Sequence, residues 1–323
     1  MVDCAALLAC PACGARLGEA LLCADCGRLW PAPAGIARLR LDIGARSEIV
    51  RQFYDSTPFP NYPPNDSLAW LRARAGRSAF ARLLDASTAG DARIAEIGCG
   101  TGQTSLYLAR ADRIVVGLDL SRSALALAVS AARRYGIDRV RFVEADLSRL
   151  PLAEGAFDLV YCSGVLHHTP DPRAAFAGIV GAVRPGGHVV LGLYNLYARL
   201  PLRLRRAIAR LTGMRWVPFD PVLRDRKAEP ARREAWLRDQ YLHPEEHSHS
   251  VAEVRRWFAE NGLEFVSTYP PALLGGEEPG DLFAPAEDHW PPEQWLAQLG
   301  WMRSLGHEGG LFVAVARKPG PAV

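Results

Sequence analysis

The chain has 323 residues, 49% of them hydrophobic and 23% charged, and a formal net charge of +3. This length and composition suffice to bury a full α/β core with room for appended segments. No apolar run approaches the length of a transmembrane helix, which argues against a membrane-spanning protein. The start of the chain lacks the basic region and long apolar core of a secretory signal, so we expect a reducing, cytoplasmic location.

Two C-x-x-C pairs occur near the N-terminus, Cys10 with Cys13 and Cys23 with Cys26, and a glycine follows each pair. Four thiolates at this spacing suit tetrahedral zinc, and the glycines allow backbone N–H groups to turn toward sulfur. A disulfide pair or a redox motif is the alternative, but a reducing compartment favours a metal. Residues 1–44 therefore resemble a zinc ribbon with a structural zinc ion, and Cys4 is expected to be a bystander.

The segment 53–64 combines several prolines with aromatic residues. Helices do not run through such proline density, so the segment is expected to be extended. It is either a linker held to the fold by its aromatic rings or a lid over a bound ligand. We assign residues 45–90 to an extended and helical N-terminal lid segment.

A glycine-rich turn is the most informative feature of the chain. The heptapeptide Glu96-Ile97-Gly98-Cys99-Gly100-Thr101-Gly102 follows a short apolar run and precedes a predicted helix at 103–110. Glycine removes a Cβ where the backbone turns sharply or lies against a ligand, and a helix N-terminus offers unpaired N–H groups. Gln103 stands where a dehydrogenase would have the last glycine of G-x-G-x-x-G, so a dinucleotide enzyme is disfavoured.

Acidic residues end the next two predicted strands. Asp119 follows strand 113–118, and Asp146 follows strand 139–144. A carboxylate at the first position can accept hydrogen bonds from both hydroxyls of a ribose, although either acid can instead cap the helix that follows. Ser121 and Gly136 predict the start and the stop of a helix at 122–135. A fourth strand at 157–162, a helix around 174–183 and a fifth strand at 188–193 come next.

The order and spacing of these elements over about a hundred residues resemble the class I S-adenosylmethionine-dependent methyltransferases (type 11/25-like), whose first motif reads E/D-x-G-x-G-x-G. The resemblance implies a Rossmann-like, doubly wound α/β sheet of seven strands with a reversed last strand, and S-adenosylmethionine as cofactor. In that family the acid at the Asp146 position contacts the adenine amino group, and the next backbone N–H meets a ring nitrogen. The residues implied to bind the donor are Glu96, Gly98, Gly100, Gly102, Asp119, Asp146, Leu147 and Ser163.

Two adjacent histidines, His167 and His168, fall where the substrate of this family lies against the methyl donor. One of them can orient a nucleophile or accept its proton near neutral pH, so both are candidate catalytic residues. The alternative is a helix-cap or wall role, because methyl transfer from a sulfonium can rely on proximity and alignment alone. Tyr194 and Asn195, at the end of the fifth strand, are candidate substrate contacts.

An insertion at about 196–249 follows the fifth strand and carries an excess of basic residues. Residues 195–240 contain twelve Arg or Lys and five Asp or Glu, a local charge of +7. Leu200, Leu204, Ile208 and Leu211 fall at helical spacing among arginines, which predicts an amphipathic basic helix. It could bind RNA phosphates, an anionic membrane surface or an acidic substrate. We favour a solvated arginine face on a helix that packs over the core.

The insertion ends in a cluster of acidic and histidine residues, including Asp239, His243, His247 and His249. Three interpretations remain open: a metal site, a lid that faces the substrate, and an ordinary polar loop. A second insertion at about 269–309 precedes the last strand, and the catalytic domain is expected over 91–318.

Together these features predict an S-adenosylmethionine-dependent methyltransferase whose acceptor is a small molecule or RNA. The N-terminal ribbon beside this fold and the arginine-rich insertion favour RNA, although the sequence has no N-P-P-Y-type motif of the enzymes that methylate exocyclic base nitrogens. The large insertion and the histidine pair fit a small molecule or a lipid precursor equally well. A non-catalytic module that binds S-adenosylmethionine and a partner is the alternative from a different class. The sequence determines neither the acceptor nor the oligomeric state.

Overall fold

The computed structural model has a mixed β-sheet as its central layer. It describes residues 4–41, 48, 51–52, 55, 60, 62–63, 65–213, 216–225, 233, 236–237, 240–241, 246–275, 279–285, 291–305 and 309–320. The described strands form one sheet in the order β1-β4-β3-β2-β5-β6-β8-β7. Their bounds are β1 Ile36–Arg38, β2 Arg93–Ile97, β3 Ile114–Asp119, β4 Val140–Glu144, β5 Phe157–Ser163, β6 Val183–Tyr194, β7 Glu264–Tyr269 and β8 Leu311–Arg317.

The direction of the strands decides where a site can form. Strands β1 to β6 pair in parallel, whereas β8 runs antiparallel to both β6 and β7. The expected reversed last strand is therefore confirmed. Because the carboxyl ends of parallel strands share one edge of a sheet, the loops after β2 to β6 meet there.

Helices of the predicted kinds connect the strands. Those whose bounds lie in the described residues are α1 Leu68–Ala75, α2 Ala79–Ser87, α3 Gln103–Leu108, α4 Arg122–Tyr135, α5 Pro172–Val180, α6 Leu200–Leu211, α7 Pro221–Arg224, α8 Val251–Glu260 and α9 Pro291–Ser304. The Ser121 hydroxyl accepts from the Ala124 N–H, and Gly136 ends α4 with a left-handed φ of 67°. The cap and stop of α4 therefore lie where its sequence predicted them.

The sheet has eight described strands rather than the predicted seven. The additional strand, β1, lies at one edge, and Ile36 pairs with Phe142 of β4. A strand of three residues is too short to show the alternation of apolar and polar side chains by which strands are recognised. Glu144 of β4 accepts hydrogen bonds from the guanidinium groups of Arg38 and Arg40, which adds ionic contacts at this edge.

The cysteine-rich segment before β1 packs on the same core as the sheet. Leu8, Leu17 and Leu21 are buried in one cluster with Leu152 and Phe157 of the α/β domain. A single bridge also pairs Leu8 with Leu152. The N-terminal segment is therefore joined to the α/β domain by buried apolar contacts as well as by the chain.

The insertion after β6 returns to the point where it leaves the sheet. The His249 N–H donates to the Tyr194 carbonyl, and the Leu196 N–H donates to the His249 carbonyl. Gln298 of α9 accepts hydrogen bonds from the Asn195 amide and from the Val251 N–H, both at 3.0 Å. Parts of both insertions thus converge on the carboxyl end of β6. Within the described residues, no helix is both long and apolar enough to cross a membrane.

Candidate donor and acceptor site

The three glycines of the turn after β2 are held in backbone conformations that disfavour other residues. Gly98, Gly100 and Gly102 have φ values of 71°, 52° and 76°. A Cβ on Gly98 would lie 2.1 Å from Val165 Cγ2, and a Cβ on Gly102 would lie 2.7 Å from Phe142 Cζ. The turn therefore requires glycine at these two positions both for its φ angles and for its packing.

Asp119 stands beside this turn at the end of β3. The Gly100 N–H donates to Asp119 Oδ2 at 2.7 Å, and the Ser121 N–H donates to Oδ1 at 2.8 Å. Burial raises the pKa of Asp119, although backbone hydrogen bonds from Ser121 and Gly100 act in the opposite direction. Each carboxylate oxygen has a second lone pair, so the side chain retains capacity to accept from a ligand.

Glu96 joins β2 to α3. The Ser105 hydroxyl donates to Glu96 Oε2, and both side chains are buried. Burial raises the pKa of Glu96 to about 7, while the hydrogen bond from Ser105 acts to lower it. The acid of the motif is thus tied to the helix that starts after the glycines, which fixes the geometry of the turn.

Three further predicted donor residues lie at the ends of the next two strands: Asp146 and Leu147 follow β4, and Ser163 is the last residue of β5. Asp146 Oδ1 accepts from the Ser148 N–H at 2.7 Å and so caps a single helical turn, Leu147–Arg149. Ser163 ends β5 and pairs with Gly192 of β6. A Cβ added to Gly192 would lie 2.1 Å from Ser163 Oγ, so the two residues are in close contact. Asp119 pairs in register with Glu144, the last residue of β4, and Asp146 follows two residues later. Asp119 and Asp146 therefore lie at the carboxyl ends of neighbouring strands.

The histidine pair is buried against the end of β6. His167 and His168 lie in the helical turn Leu166–His168, with ring centroids 4.3 Å apart. The His167 ring stacks on the Tyr194 ring, with 3.8 Å between their centroids. The guanidinium carbon of Arg199 lies 3.6 Å from the centroid of the same Tyr194 ring. Histidine, tyrosine and arginine thus form one packed group that we call the Tyr194 stack.

A buried ion pair completes the Tyr194 stack. Arg199 donates from Nη2 to Glu246 Oε2 at 2.6 Å, and these side chains are 1% and 7% exposed. Arg206 also donates to Glu246. Burial raises the pKa of Glu246, but the hydrogen bond from Arg206 and the charge of Arg199 outweigh it and leave the pKa lowered.

Arg199 and Glu246 were not anticipated as parts of the site. The sequence places Arg199 among exposed arginines of a basic helix, because no local pattern marks one arginine of several as buried. Glu246 lies 47 residues away, so only the tertiary fold pairs them. The one local signal is Asn195, whose side-chain oxygen accepts from the N–H groups of Tyr197 and Ala198 and turns the chain toward Arg199.

A cleft of about 350 Å³ lies between the loop after the histidine pair and α8. Polar side chains line much of it, among them Asp171, His247, His249 and Glu253. His249 Nδ1 lies 3.0 Å from Glu253 Oε1. Of the residues suggested as metal ligands, Asp239 and His243 lie outside the described part of the chain. His247 and His249 form no group of three ligand-type residues there.

The four N-terminal cysteines do converge. Their sulfur atoms lie within 4.8 Å of one another, with Cys10 and Cys26 at 3.7 Å and Cys13 and Cys23 at 3.4 Å. A tetrahedral zinc ion with Zn–S bonds of about 2.3 Å would hold sulfurs roughly 3.8 Å apart, so the donor set fits zinc.

The surroundings of Cys10 favour its thiolate. Burial opposes ionisation of Cys10, but hydrogen bonds from the Cys13 backbone and from the Trp30 ring lower its pKa to about 6. A low pKa at Cys10 favours the deprotonated form that binds metals. At Cys13 and Cys26, hydrogen bonds from the Ala15 and Arg28 backbone act to lower the pKa. The contact with Cys23 and burial outweigh these bonds, so the pKa values of both thiols are instead raised.

Described residues of the segment 45–90 touch the glycine turn. The Tyr62 hydroxyl donates to the Thr101 carbonyl at 2.7 Å, and the Thr101 hydroxyl donates to the Pro60 carbonyl at 2.5 Å. Asp55 Oδ1 accepts from the Ser121 hydroxyl at 2.8 Å, close to the Asp119 carboxylate. Of the segment 53–64, the structure describes residues 55, 60, 62 and 63.

Comparison with known proteins agrees with this arrangement. Residues 95–191 match the Methyltransf_11 family model, described as a methyltransferase domain. An uncharacterized protein of Synechococcus sp. is 30% identical over 250 residues, which cover 68% of this chain and 59% of that protein. A ubiquinone biosynthesis O-methyltransferase of Ralstonia nicotianae is 40% identical over 108 residues, or 33% of this chain and 45% of that enzyme. The chain thus spans 59% and 45% of these two curated relatives.

Solved structures support the same fold. The crystal structure of the [4+2]-cyclase SpnF is similar with a TM-score of 0.50 and 20% identity, over 87% of this chain and 98% of that chain. Residues 95–191 therefore carry a methyltransferase domain, as the sequence predicted, and the likeness to the solved structure shows the fold alone.

Proposed function

We propose that the protein transfers a methyl group from S-adenosylmethionine to a hydroxyl group of a small organic molecule. One observation carries the proposal: a turn of three left-handed glycines is hydrogen-bonded to the Asp119 carboxylate at the shared edge of β2 and β3. Such an edge is where nucleotide-like ligands bind in doubly wound sheets. The match of residues 95–191 to a methyltransferase domain supports the same use of this edge.

The donor is proposed to lie across the carboxyl ends of β2 to β5. Asp119 would accept hydrogen bonds from the ribose hydroxyls, and Asp146 with the Leu147 N–H would contact the adenine ring. Gly98, Gly100 and Gly102 would let the backbone approach the donor closely, with Ser163 on the opposite side. Glu96 would act on the donor mainly by holding the turn, since its carboxylate is buried against Ser105.

A small hydroxylated acceptor is favoured by two observations. The similar proteins include ubiquinone biosynthesis O-methyltransferases and a 27-O-demethylrifamycin SV methyltransferase of Amycolatopsis mediterranei, all named for O-methylation of small molecules. In addition, Arg199 and Arg206 of the basic insertion bind Glu246. Arginines neutralised inside the protein contribute less to binding RNA phosphates, so the case for an RNA acceptor is weakened.

The histidine pair is proposed to serve the acceptor. When bound, S-adenosylmethionine supplies a methyl group on its sulfonium sulfur, and the acceptor hydroxyl loses its proton as the O–CH₃ bond forms. We assign acceptance of that proton to His168, which is 6% exposed, whereas His167 is fully buried and packs on Tyr194. His167 is then a positioning residue for Tyr194.

The four cysteines are proposed to hold a structural zinc ion that takes no part in the reaction. A site with four protein ligands has no open position for a substrate. A reducing, cytoplasmic compartment belongs to this proposal, because the cysteines that bind zinc must stay reduced.

Donor binding and methyl transfer can be tested separately. Calorimetric titration with S-adenosylmethionine should show binding that Asp119→Ala weakens at least about tenfold, because hydrogen bonds to a charged group contribute about 1.5–3 kcal/mol. His168→Gln should leave donor binding unchanged. With methyl-labelled donor and a panel of phenolic acceptors, it should lower the transfer rate by about 10²–10⁴-fold.

The same labelling in a cell extract decides between the open alternatives. Label in the small-molecule fraction supports the proposal, and label in RNA that nuclease removes would contradict it. Tight donor binding with no label in any fraction would instead indicate a non-catalytic binding module.

A further inference from the structure

Helix α6, Leu200–Leu211, has two apolar faces, and only one of them packs on the part of the chain that the structure describes. Leu202 and Ala209 are buried in a small cluster with Tyr241. Leu200, Leu204 and Leu211 are 44%, 65% and 87% exposed. At about 100° per residue, the exposed leucines lie on one stripe roughly 160° from the buried pair.

The exposed stripe corrects the expectation from the sequence. Leu200, Leu204, Ile208 and Leu211 were expected to pack over the core, but three of them face solvent and Ile208 is half-buried. The helix instead packs through Leu202 and Ala209. Periodicity identifies an apolar stripe but not its partner, and this helix carries a stripe on each side.

The arginines of α6 are divided between the two sides. Arg206 turns inward to Glu246 and to the Gln240 carbonyl. Arg203 and Arg210 are exposed and lie next to the leucine stripe in the helical rotation. The outer face therefore combines large apolar side chains with flanking positive charge.

Exposed aromatic residues also occur close to α6 in the chain. Trp216 and Phe219, which follow α6 closely in the chain, are 57% and 72% exposed. The Arg224 guanidinium lies 5.2 Å from the Phe219 ring centroid. At the start of α6, Tyr197 contacts Trp295, which is itself half-exposed. Leucine, tryptophan and phenylalanine beside arginines are the composition of helices that lie in a membrane interface.

We propose that this outer face of α6 docks on the surface of an anionic lipid bilayer. The leucine stripe enters the boundary between headgroups and acyl chains, while Arg203 and Arg210 meet the lipid phosphates. Leu202 and Ala209 keep the helix attached to the protein, so it lies flat on the bilayer as a monotopic anchor. RNA is a poorer partner for this face, because phosphate contacts gain nothing from leucines that are 65% and 87% exposed.

The position of α6 links this surface to the candidate acceptor site. Leu200 directly follows Arg199, whose guanidinium stacks on Tyr194. If the proposed methyl transfer to a small molecule holds, docking brings the acceptor site close to molecules dissolved in the bilayer. The docking itself does not depend on that activity and can be tested without donor or acceptor.

Flotation of the full chain with lipid vesicles tests the proposal. At low ionic strength we expect binding to vesicles of phosphatidylcholine with phosphatidylglycerol, and weaker binding to phosphatidylcholine alone. The double variant Leu204→Glu with Leu211→Glu should lower the vesicle affinity at least about tenfold. Burying one leucine side chain in the bilayer stabilises binding by about the free energy that corresponds to a tenfold change in the dissociation constant. Leu127→Glu, a helical leucine 38% exposed on α4, is the matched control and should bind as the wild type does.

A second pair of variants examines the charges. Arg203→Glu with Arg210→Glu should weaken binding to the anionic vesicles and flatten its dependence on salt. Circular dichroism and donor titration verify that each variant is folded, and Leu204→Ala with Leu211→Ala is a milder replacement of the same stripe. Absence of wild-type binding to anionic vesicles would overturn the proposal. Unchanged vesicle binding by the folded leucine variants would also overturn it. The same holds if the wild-type protein binds RNA but not vesicles and the variants lose that RNA binding.

Discussion

Gly98 is required for two separate reasons, its left-handed φ of 71° and its contact with Val165. Gly98→Ala should therefore lower the free energy of unfolding by about 2–4 kcal/mol and weaken donor binding, because both strain and overpacking disturb the turn. Urea unfolding and donor titration measure the two effects.

Gly136→Ala is the matched control for this substitution. Gly136 has a similar φ of 67° but no atom within 4 Å of its ideal Cβ. It should cost only about 1–2 kcal/mol and leave donor binding intact. Equal effects of the two substitutions would show that contact with Val165 is unimportant.

Glu96 makes the stability of the domain depend on pH. Its pKa is raised by burial to about 7, so folding favours the protonated acid. The contribution is fully present below about pH 4.5 and is lost as the pH rises through about 7, at a cost of roughly 3 kcal/mol at most. Glu96→Gln keeps an acceptor for Ser105 and removes this dependence, so the variant should match or exceed the wild type in stability at pH 8.

Urea unfolding at pH 5.5 and pH 8 measures that difference. The exposed Glu154→Gln provides the control, and its pH dependence should follow that of the wild type. Parallel pH profiles for Glu96→Gln and the wild type would contradict a raised pKa of Glu96 in the folded protein.

At the scale of elements, the ion pair between Arg199 and Glu246 holds the insertion to the end of β6. Glu246→Gln leaves the Arg199 guanidinium buried without its counter-charge, which should cost about 3–5 kcal/mol. Glu260→Gln breaks the exposed pair with Arg173 and should cost less than about 1 kcal/mol. Thermal and urea unfolding compare the two variants, and similar small losses would mean that the buried pair is not needed.

Most elements were predictable because their signals are local. Ser121 and Gly136 bound α4, and the strands before Asp119 and Asp146 are short apolar runs. The bounds differ where tertiary pairing intervenes. Strand β6 begins at Val183 rather than at 188, because residues 184–187, between the predicted helix and the predicted strand, lie inside the strand. A register shift occurs opposite them in β5. Helix α3 ends at Leu108, two residues early.

At the scale of the whole molecule, the cysteine segment and the α/β domain share one buried cluster. Removal of zinc should therefore lower the stability of both parts together. A loss of about 2 kcal/mol would lower the melting temperature by roughly 4–8 °C in a domain of this size. Calorimetry with and without a chelator should show one transition that shifts. Two separate transitions would contradict the shared core.

Cysteine variants test the same coupling. Cys10→Ser should reduce the zinc content measured by mass spectrometry and lower the melting temperature as the chelator does. Cys4→Ser changes a buried cysteine that is not one of the four converging cysteines, and this variant should retain zinc. Retention of zinc by Cys10→Ser would argue against the four-cysteine site.

The sequence alone determined the α/β class, the glycine turn, the acids at the ends of β3 and β4, and the spacing of the four cysteines. These features depend on short-range patterns: local propensity, capping and ligand spacing within a few residues. Only the tertiary structure decided that β1 joins the sheet, that Arg199 is buried against Glu246 and Tyr194, and that the leucines of α6 face outward. Each of these depends on contact between segments far apart in the chain, and such contact is set by which faces fit together in the folded protein.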